Sequence, residues 1–353
     1  MNASELIDTA RLMLAPGKGL LAMDESTPTC NERFASLGIP QTEASRRAWR
    51  QLIITTPRLA DSISGAILYD ETIRQRCTDG TPFVKVLNDA GIVVGIKVDT
   101  GAKPLAGHAG EKITEGLDGL RERLQGYSAI GARFAKWRAV ISIGPGLPST
   151  ACIAANAHAL ARYAALCQEA GLVPIVEPEV LMMGGHTLQG CAEVSMQVLH
   201  EVFEQLYVQG VLLEGMVLKP NMLLPGLNCS HQDSLDEVAD ATVTVLLRAL
   251  PAALAGVAFL SGGQSAELAS ARLNAMSQRH KWRLPWALTF SFARAIQQPA
   301  LEIWRGGAAN VMQAQRALGH RAACNSAAQQ GTYSAAMEGM GNASTMYSRR
   351  GQV

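Results

Sequence analysis

Lys219 stands in the run Val217-Leu218-Lys219-Pro220-Asn221, a basic side chain among apolar neighbours. Apolar surroundings favour the neutral form of an amine, and a second lysine close by lowers its pKa further. A neutral amine attacks a carbonyl carbon and forms a Schiff base. Glu177, in Ile175-Val176-Glu177-Pro178-Glu179, is a carboxyl suited to give and take the proton of the carbinolamine oxygen that leaves as water. The turn Ser261-Gly262-Gly263 leads into a helical segment from Gln264 to Ala275. Backbone N–H groups at such a helix start form a phosphate cradle. Arg33, Lys97, Arg138 and Arg294 supply more positive charge than one phosphate needs, which points to two.

These residues gather at one end of a repeated unit. Short β-like runs recur at Gly19–Ser26, Gly65–Asp70, Val93–Asp99, Arg133–Arg138, Val173–Val180, Met216–Asn221, Gly256–Gly263 and Pro285–Arg294, each followed by a longer helical segment. Buried parallel strands read as continuous apolar stretches and not as alternating ones. Eight of them predict a single (β/α)8 barrel; a doubly wound sheet is the rival but has fewer strands over such a length. Asp24 and Glu25 end the first run, Lys97 and Asp99 the third, Lys136 and Arg138 the fourth, and Glu177 and Glu179 the fifth. Lys219 ends the sixth, Ser261-Gly262-Gly263 the seventh, and Arg294 lies just past the eighth. One such charge reads as a structural ion pair. Charge at the same end of run after run reads as a site, because barrel enzymes build their sites from the C-terminal strand ends. Residues two apart on a strand share a face, so Lys136 points with Arg138, and Glu177 with Glu179, while Trp137 faces the helix layer.

The chain has 353 residues, 31 Lys+Arg against 30 Asp+Glu, and 48% hydrophobic residues. That balance excludes a general nucleic-acid or anionic-membrane binder, and the apolar content excludes disorder. The seven cysteines form no Cys-x-x-Cys pair, as expected of reduced thiols in a cytoplasmic protein. Residues 1–23 carry Glu5, Asp8, Arg11 and Lys18, which makes them an amphipathic helix and not a signal peptide. No stretch approaches the ~20 apolar residues of a membrane span. Ser234 and Glu237 are spaced as a capping box at the start of a helix to Leu250. Residues 1–328 are expected to form the barrel with its N-terminal helix. Residues 329–353, rich in Gly, Ala, Ser and Met, read as a mobile C-terminal tail.

Leu21-Ala22-Met23-Asp24-Glu25-Ser26, Gly95-Ile96-Lys97-Val98-Asp99, Phe134-Ala135-Lys136-Trp137-Arg138, Ile175-Val176-Glu177-Pro178-Glu179, Leu218-Lys219-Pro220-Asn221-Met222 and Phe259-Leu260-Ser261-Gly262-Gly263-Gln264-Ser265 together resemble class I fructose-bisphosphate aldolase, from near the N-terminus to about Tyr333. The resemblance implies a TIM barrel, assembled as a homotetramer. It implies metal-independent, reversible cleavage of fructose 1,6-bisphosphate to dihydroxyacetone phosphate and glyceraldehyde 3-phosphate, a step of glycolysis and gluconeogenesis. It makes Lys219 the Schiff-base lysine and Glu177 the carbinolamine acid/base. Asp24 falls near the cleaved carbon–carbon bond, with Lys136 and Glu179 assisting. Ser26, Arg33, Lys97 and Arg138 fall on the C6-phosphate side, and Ser261, Gly262, Gly263 and Arg294 on the C1-phosphate side.

Two departures stand out. The family's Gly-Arg is Ala293-Arg294 here, which brings a Cβ beside a phosphate. The C-terminal tyrosine of vertebrate members is replaced by Val353, with Tyr347 as a conceivable substitute and Arg349 and Arg350 as the favoured agents of tail closure by charge. No cofactor is expected, and no metal, since the seven histidines include no His-x-x-x-His pair. The expected partners are small sugar phosphates, with no nucleic acid and no membrane. A phosphate-binding isomerase or transaldolase-like transferase, and a non-catalytic barrel, are the competing readings. The first leaves two phosphate clusters beside Glu177 and Asp24 unexplained, and the second predicts erosion among Asp24, Lys136, Glu177 and Lys219.

Overall fold

The computed structural model describes residues 2–339. Eight parallel strands close into a barrel: β1 (Gly19–Ala22), β2 (Ile63–Leu68), β3 (Val93–Lys97), β6 (Phe134–Ile141), β7 (Val173–Val180), β8 (Val217–Leu218), β9 (Gly256–Phe259) and β10 (Ala287–Phe292). The expected (β/α)8 architecture is present. A strand covered by helices outside and side chains inside has no polar face, and β7 is buried at all eight positions. A feature the sequence did not signal is the antiparallel hairpin of β4 (Gly101–Pro104) and β5 (Lys112–Glu115), inserted after β3.

The interior is packed in layers. Leu20, Ile67, Phe134, Val173, Ile175, Val217 and Ala258 fill the lower half, and the N-terminal helix Ala3–Met13 sends Leu6, Ala10 and Met13 into the same cluster. The helix thereby plugs the N-terminal end of the barrel. Glycines make room for the rings. A methyl group on Gly19 would lie 2.7 Å from the Phe290 ring, and one on Gly95 would overlap the Phe134 ring. The buried charges Asp24, Lys136, Glu177 and Lys219 lie at the opposite, C-terminal end.

Three boundaries differ from the sequence reading, each for a local reason. β1 stops at Ala22, so Asp24, Glu25 and Ser26 lie on the loop beyond it, with Ser26 at the N-cap of helix Thr27–Ala35. β6 continues to Ile141, so Lys136 and Arg138 sit within the strand. The last helix, Val311–Gln330, passes the boundary expected at 328, and Tyr333 beyond it is buried, its N–H donating to Asn274 Oδ1 at 3.0 Å. Folded structure thus reaches into the segment read as tail. Tyr347, Arg349 and Arg350 lie outside the described residues.

The capping box at Ser234 and Glu237 is formed, and Trp137 packs outward against Tyr163, ring centroids 5.5 Å apart. All seven cysteines are free, six of them buried. No helix among the described residues is long and apolar enough to cross a membrane.

The layered interior predicts the effect of one methyl group. Gly95→Ala should lower stability by about 1–3 kcal/mol, the usual cost of overpacking a core. Thermal or denaturant unfolding reads it, and a neutral result would show that Phe134 has a second place to go.

Candidate active site

Four charged side chains meet at the C-terminal end of the barrel. Lys136 Nζ lies 2.8 Å from Asp24 Oδ2 and 3.1 Å from Glu177 Oε2, and Lys219 Nζ lies 3.2 Å from Glu177 Oε1. The order is Asp24–Lys136–Glu177–Lys219, alternating in sign. Lys136, Glu177 and Lys219 are only 4%, 3% and 3% exposed.

The backbone fixes each member. β6 and β7 pair with Lys136 opposite Ile175 and Arg138 opposite Glu177, which sets Lys136 and Glu177 diagonally on one inward face. β8 is two residues long because Pro220 cannot donate to a ladder. Lys219 is nevertheless held on both sides. Its N–H donates to Val176 O at 2.8 Å, and Asn221 Oδ1 accepts from Val180 N–H at 2.9 Å. Asp24 stands on the loop after β1, next to Glu25. Glu25 is gripped by Arg50 Nη1 at 2.6 Å, Arg33 Nη1 at 2.6 Å and Gln297 Nε2 at 2.9 Å.

The electrostatics follow from burial against pairing. Burial would raise the Asp24 carboxyl, but Lys136 and, behind it, Lys219 outweigh it and hold that group well below the usual carboxylate range. Burial would likewise raise Glu177, and Lys136, Lys219 and Arg138 bring it below its ordinary value despite Asp24. Burial would lower the Lys136 ammonium, and Asp24 and Glu177 drive it well above its ordinary value. Two carboxylates and a permanent ammonium therefore surround Lys219. The apolar surroundings that the sequence suggested for this lysine are interrupted by Glu177.

The rim is also paired. Lys97 Nζ meets Asp99 Oδ1 at 2.7 Å, and Arg138 Nε donates to Glu179 Oε2 at 2.5 Å. Glu179 thus faces Arg138 instead of joining the central four. Asp99 ties the mouth together, accepting from Gly101 N–H and Arg138 N–H at 3.2 and 3.3 Å. Ser26 Oγ lies 3.1 Å from Thr29 Oγ1. Across the mouth, Gly262 and Gly263 adopt φ of +56° and +81°, the left-handed region that disfavours a Cβ. A Cβ on Gly263 would lie 3.3 Å from Nη2 of Arg294, so the Ser261-Gly262-Gly263 turn and Arg294 form one surface. Ala293 caps the helix Arg294–Trp304 at φ −104°, which an L residue adopts without left-handed strain.

Sequence reasoning missed Arg50, Gln297 and Asn221, each of which holds a site loop in place. Arg50 left a trace: it falls on the buried stripe of helix Glu43–Ile54 with Trp49, Leu52 and Ile53, where a charge needs a partner.

The family model for class-I fructose-bisphosphate aldolase matches residues 5–352, beyond the Tyr333 limit of the quoted motifs. A "Probable fructose-bisphosphate aldolase class 1" of Xanthomonas campestris is 54% identical over 334 residues, covering 94% of this chain and 99% of its own. "Fructose-bisphosphate aldolase 6, cytosolic" of Arabidopsis thaliana is 50% identical, with 94% and 92% covered. The crystal structure of a Plasmodium falciparum fructose-bisphosphate aldolase, in complex with TRAP and a small-molecule inhibitor, superposes with a TM-score of 0.92 at 46% identity, covering 94% of this chain and 96% of that one.

The alternating charges predict a pH-dependent cost. Lys136→Met removes the cation between two buried carboxylates, a loss of about 3–5 kcal/mol for a broken buried pair. With Lys136 present, the depressed Asp24 carboxyl contributes stability above its unfolded value, lost only at strongly acid pH. Without it, burial raises that carboxyl, and stability falls as pH rises through the unfolded value near 3.8. The deficit of the variant should be large at neutral pH and shrink towards pH 4. Unfolding curves at several pH values test this, and a pH-independent deficit would refute it.

Proposed function

This chain belongs to the class-I fructose-bisphosphate aldolase family, and within that reaction we propose that Lys219 supplies the amine, Glu177 the proton shuttle and Asp24 the base for bond cleavage. The enzyme is a metal-independent lyase that cleaves fructose 1,6-bisphosphate reversibly through a Schiff base, in glycolysis and gluconeogenesis. The assignment is carried by the 3.2 Å contact between Lys219 Nζ and Glu177 Oε1, continued through Lys136 to Asp24.

A proton passed from Lys219 to Glu177 leaves a neutral amine and a protonated carboxyl. The amine lone pair attacks the ketone carbon, and the oxygen takes up the proton that the attacking nitrogen gives up, forming the neutral carbinolamine. Glu177 then protonates that hydroxyl, the C–O bond breaks, water leaves and the iminium forms. The Asp24 carboxylate takes the proton of the hydroxyl on the next carbon but one. The carbon–carbon bond breaks, its electron pair flows into the iminium, and the aldehyde departs. Lys136 keeps Asp24 ionised for that role, and Glu179 acts at one remove by orienting Arg138.

We place one phosphate among Ser26, Arg33, Lys97 and Arg138, and the other on Ser261, Gly262, Gly263 and Arg294. We further propose a homotetramer working in the cytoplasm on small sugar phosphates, as the cytosolic name of the Arabidopsis relative supports.

Lys219→Met keeps the aliphatic stem and removes the amine. It should abolish cleavage and, in borohydride with fructose 1,6-bisphosphate, the mass adduct that the parent carries on its Lys219 peptide. EDTA should change neither readout. Turnover by the variant, or an adduct elsewhere, would sink the assignment.

The two phosphate sides separate by substrate. Lys97→Ala should weaken use of fructose 1,6-bisphosphate by about 1.5–3 kcal/mol, the worth of a hydrogen bond to a charged group, and spare fructose 1-phosphate. Arg294→Ala should weaken both. Equal losses in kcat/KM for the two sugars in the Lys97 variant would refute the placement.

A further inference from the structure

The last helix carries His320 and Cys324 one turn apart, and Glu338 returns to them from the helical turn that starts at Ala336. Their ligand atoms lie within 4.8 Å of one another: His320 Nε2 is 3.5 Å from Cys324 Sγ and 3.8 Å from Glu338 Oε2. Tetrahedral zinc, with Zn–S of about 2.3 Å and Zn–N of about 2.0–2.1 Å, sets sulfur and nitrogen about 3.6 Å apart. The helix already holds that spacing. The N–O spacing for zinc is about 3.4 Å, a closure of a few tenths that the part-exposed Glu338 side chain can make.

The surroundings favour a ligand over a chance cluster. The second oxygen of Glu338 is engaged, Oε1 accepting from Tyr333 O–H at 2.9 Å and from the Arg321 guanidinium. Arg321 is buried and braced in turn on Ala266 O at 2.8 Å and Ser270 Oγ at 2.7 Å. Oε2 is thereby turned towards His320. Outer partners that hold one carboxylate oxygen and present the other are what a metal ligand requires.

We propose that His320, Cys324 and Glu338 form a zinc site, separate from catalysis, with water as fourth ligand. Binding releases the Cys324 thiol proton to solvent and forms the Zn–S bond, with no redox step. Its effect is to tie the segment from Gly331 to Glu338 onto the last helix.

Cobalt is the probe. The full chain, stripped with EDTA and freed of the chelator, should take up one equivalent of Co²⁺. A thiolate-to-cobalt absorption band and tetrahedral visible bands should appear, and Zn²⁺ should displace both. Cys324→Ser should remove the thiolate band. His320→Ala, at a part-exposed position that leaves the core untouched, should do the same to the tetrahedral bands. Tyr333→Phe should weaken binding by about tenfold, the usual cost of losing an outer partner. Circular dichroism checks that each variant is folded. The absence of a thiolate band in the parent protein would overturn the site, as would a band that survives Cys324→Ser, since another of the seven cysteines would then hold the metal.

Discussion

The barrel mouth depends on one chain of charges, Asp24–Lys136–Glu177–Lys219, buried where water does not compensate them. An isolated ion in such a place costs several kcal/mol, and only close pairing in alternating sign removes that cost. The strands must therefore deliver four side chains to one spot. A one-residue slip of β6 would turn Lys136 to the helix layer and Trp137 into the site, and would leave Asp24 without its ion-pair partner and Glu177 with Lys219 alone. The ion chain thus penalises wrong registers more heavily than the apolar core does, because many apolar residues pack on either face of a barrel strand.

The same arrangement explains how the centre stays poised. The floor below it is solid: Leu20, Phe134 and Ile175, with the N-terminal helix closing the bottom, leave proton movement to the groups at the mouth. Lys136 belongs to both carboxylates, so a change of charge on Glu177 is felt at Asp24. When, in the proposed reaction, Glu177 takes a proton from Lys219, Asp24 is left as the nearest anionic partner of Lys136. On that reading Asp24 is already held ionised while the Schiff base forms, before the cleavage step that would use it.

Legibility in the sequence followed the physics of burial. Eight apolar runs were readable because parallel strands are covered on both faces, and their charged ends were readable because a charge next to such a run needs a reason. Lys219 and Glu177 were therefore singled out from residue types, and Asp24 and Lys136 were visible as strand-end charges, whereas choosing them over Glu25 and Arg138 took the family resemblance. The hairpin Gly101–Pro104 and Lys112–Glu115 was not, since its exposed, Lys- and Gly-containing strands carry no apolar signal. Arg50 and Gln297 were missed because their partner, Glu25, comes from another element, and long-range pairing leaves no local pattern. His320 and Cys324 share a helix face, yet Glu338 joins them only through the turn after Gly331. The last helix runs to Gln330, past the point where composition suggested a tail, because small residues pack well on a neighbouring helix: Ala322 and Ala328 are buried in it.

The rim sets a further constraint, one of net charge. The proposed centre is neutral in pairs, and around it Arg33, Arg50, Lys97, Arg138 and Arg294 face the carboxylates of Glu25, Asp99 and Glu179, an excess of two positive charges. A sugar bisphosphate brings about −1.5 to −2 on each phosphate. Side chains alone do not balance it. The remainder falls to groups without formal charge, and the Ser261-Gly262-Gly263 turn supplies them, its left-handed glycines leaving the backbone bare beside Arg294. Backbone N–H groups in such a turn bind an anion without adding a cation that would compete with Lys136 for Asp24 and Glu177. A further lysine or arginine in their place would balance the phosphate equally well, but it would also draw those carboxylates away from the ion chain. On the proposed placement, a glycine turn on the C1-phosphate side and ion-paired cations on the other side answer one requirement: to hold two phosphates without disturbing the Asp24–Lys136–Glu177–Lys219 chain.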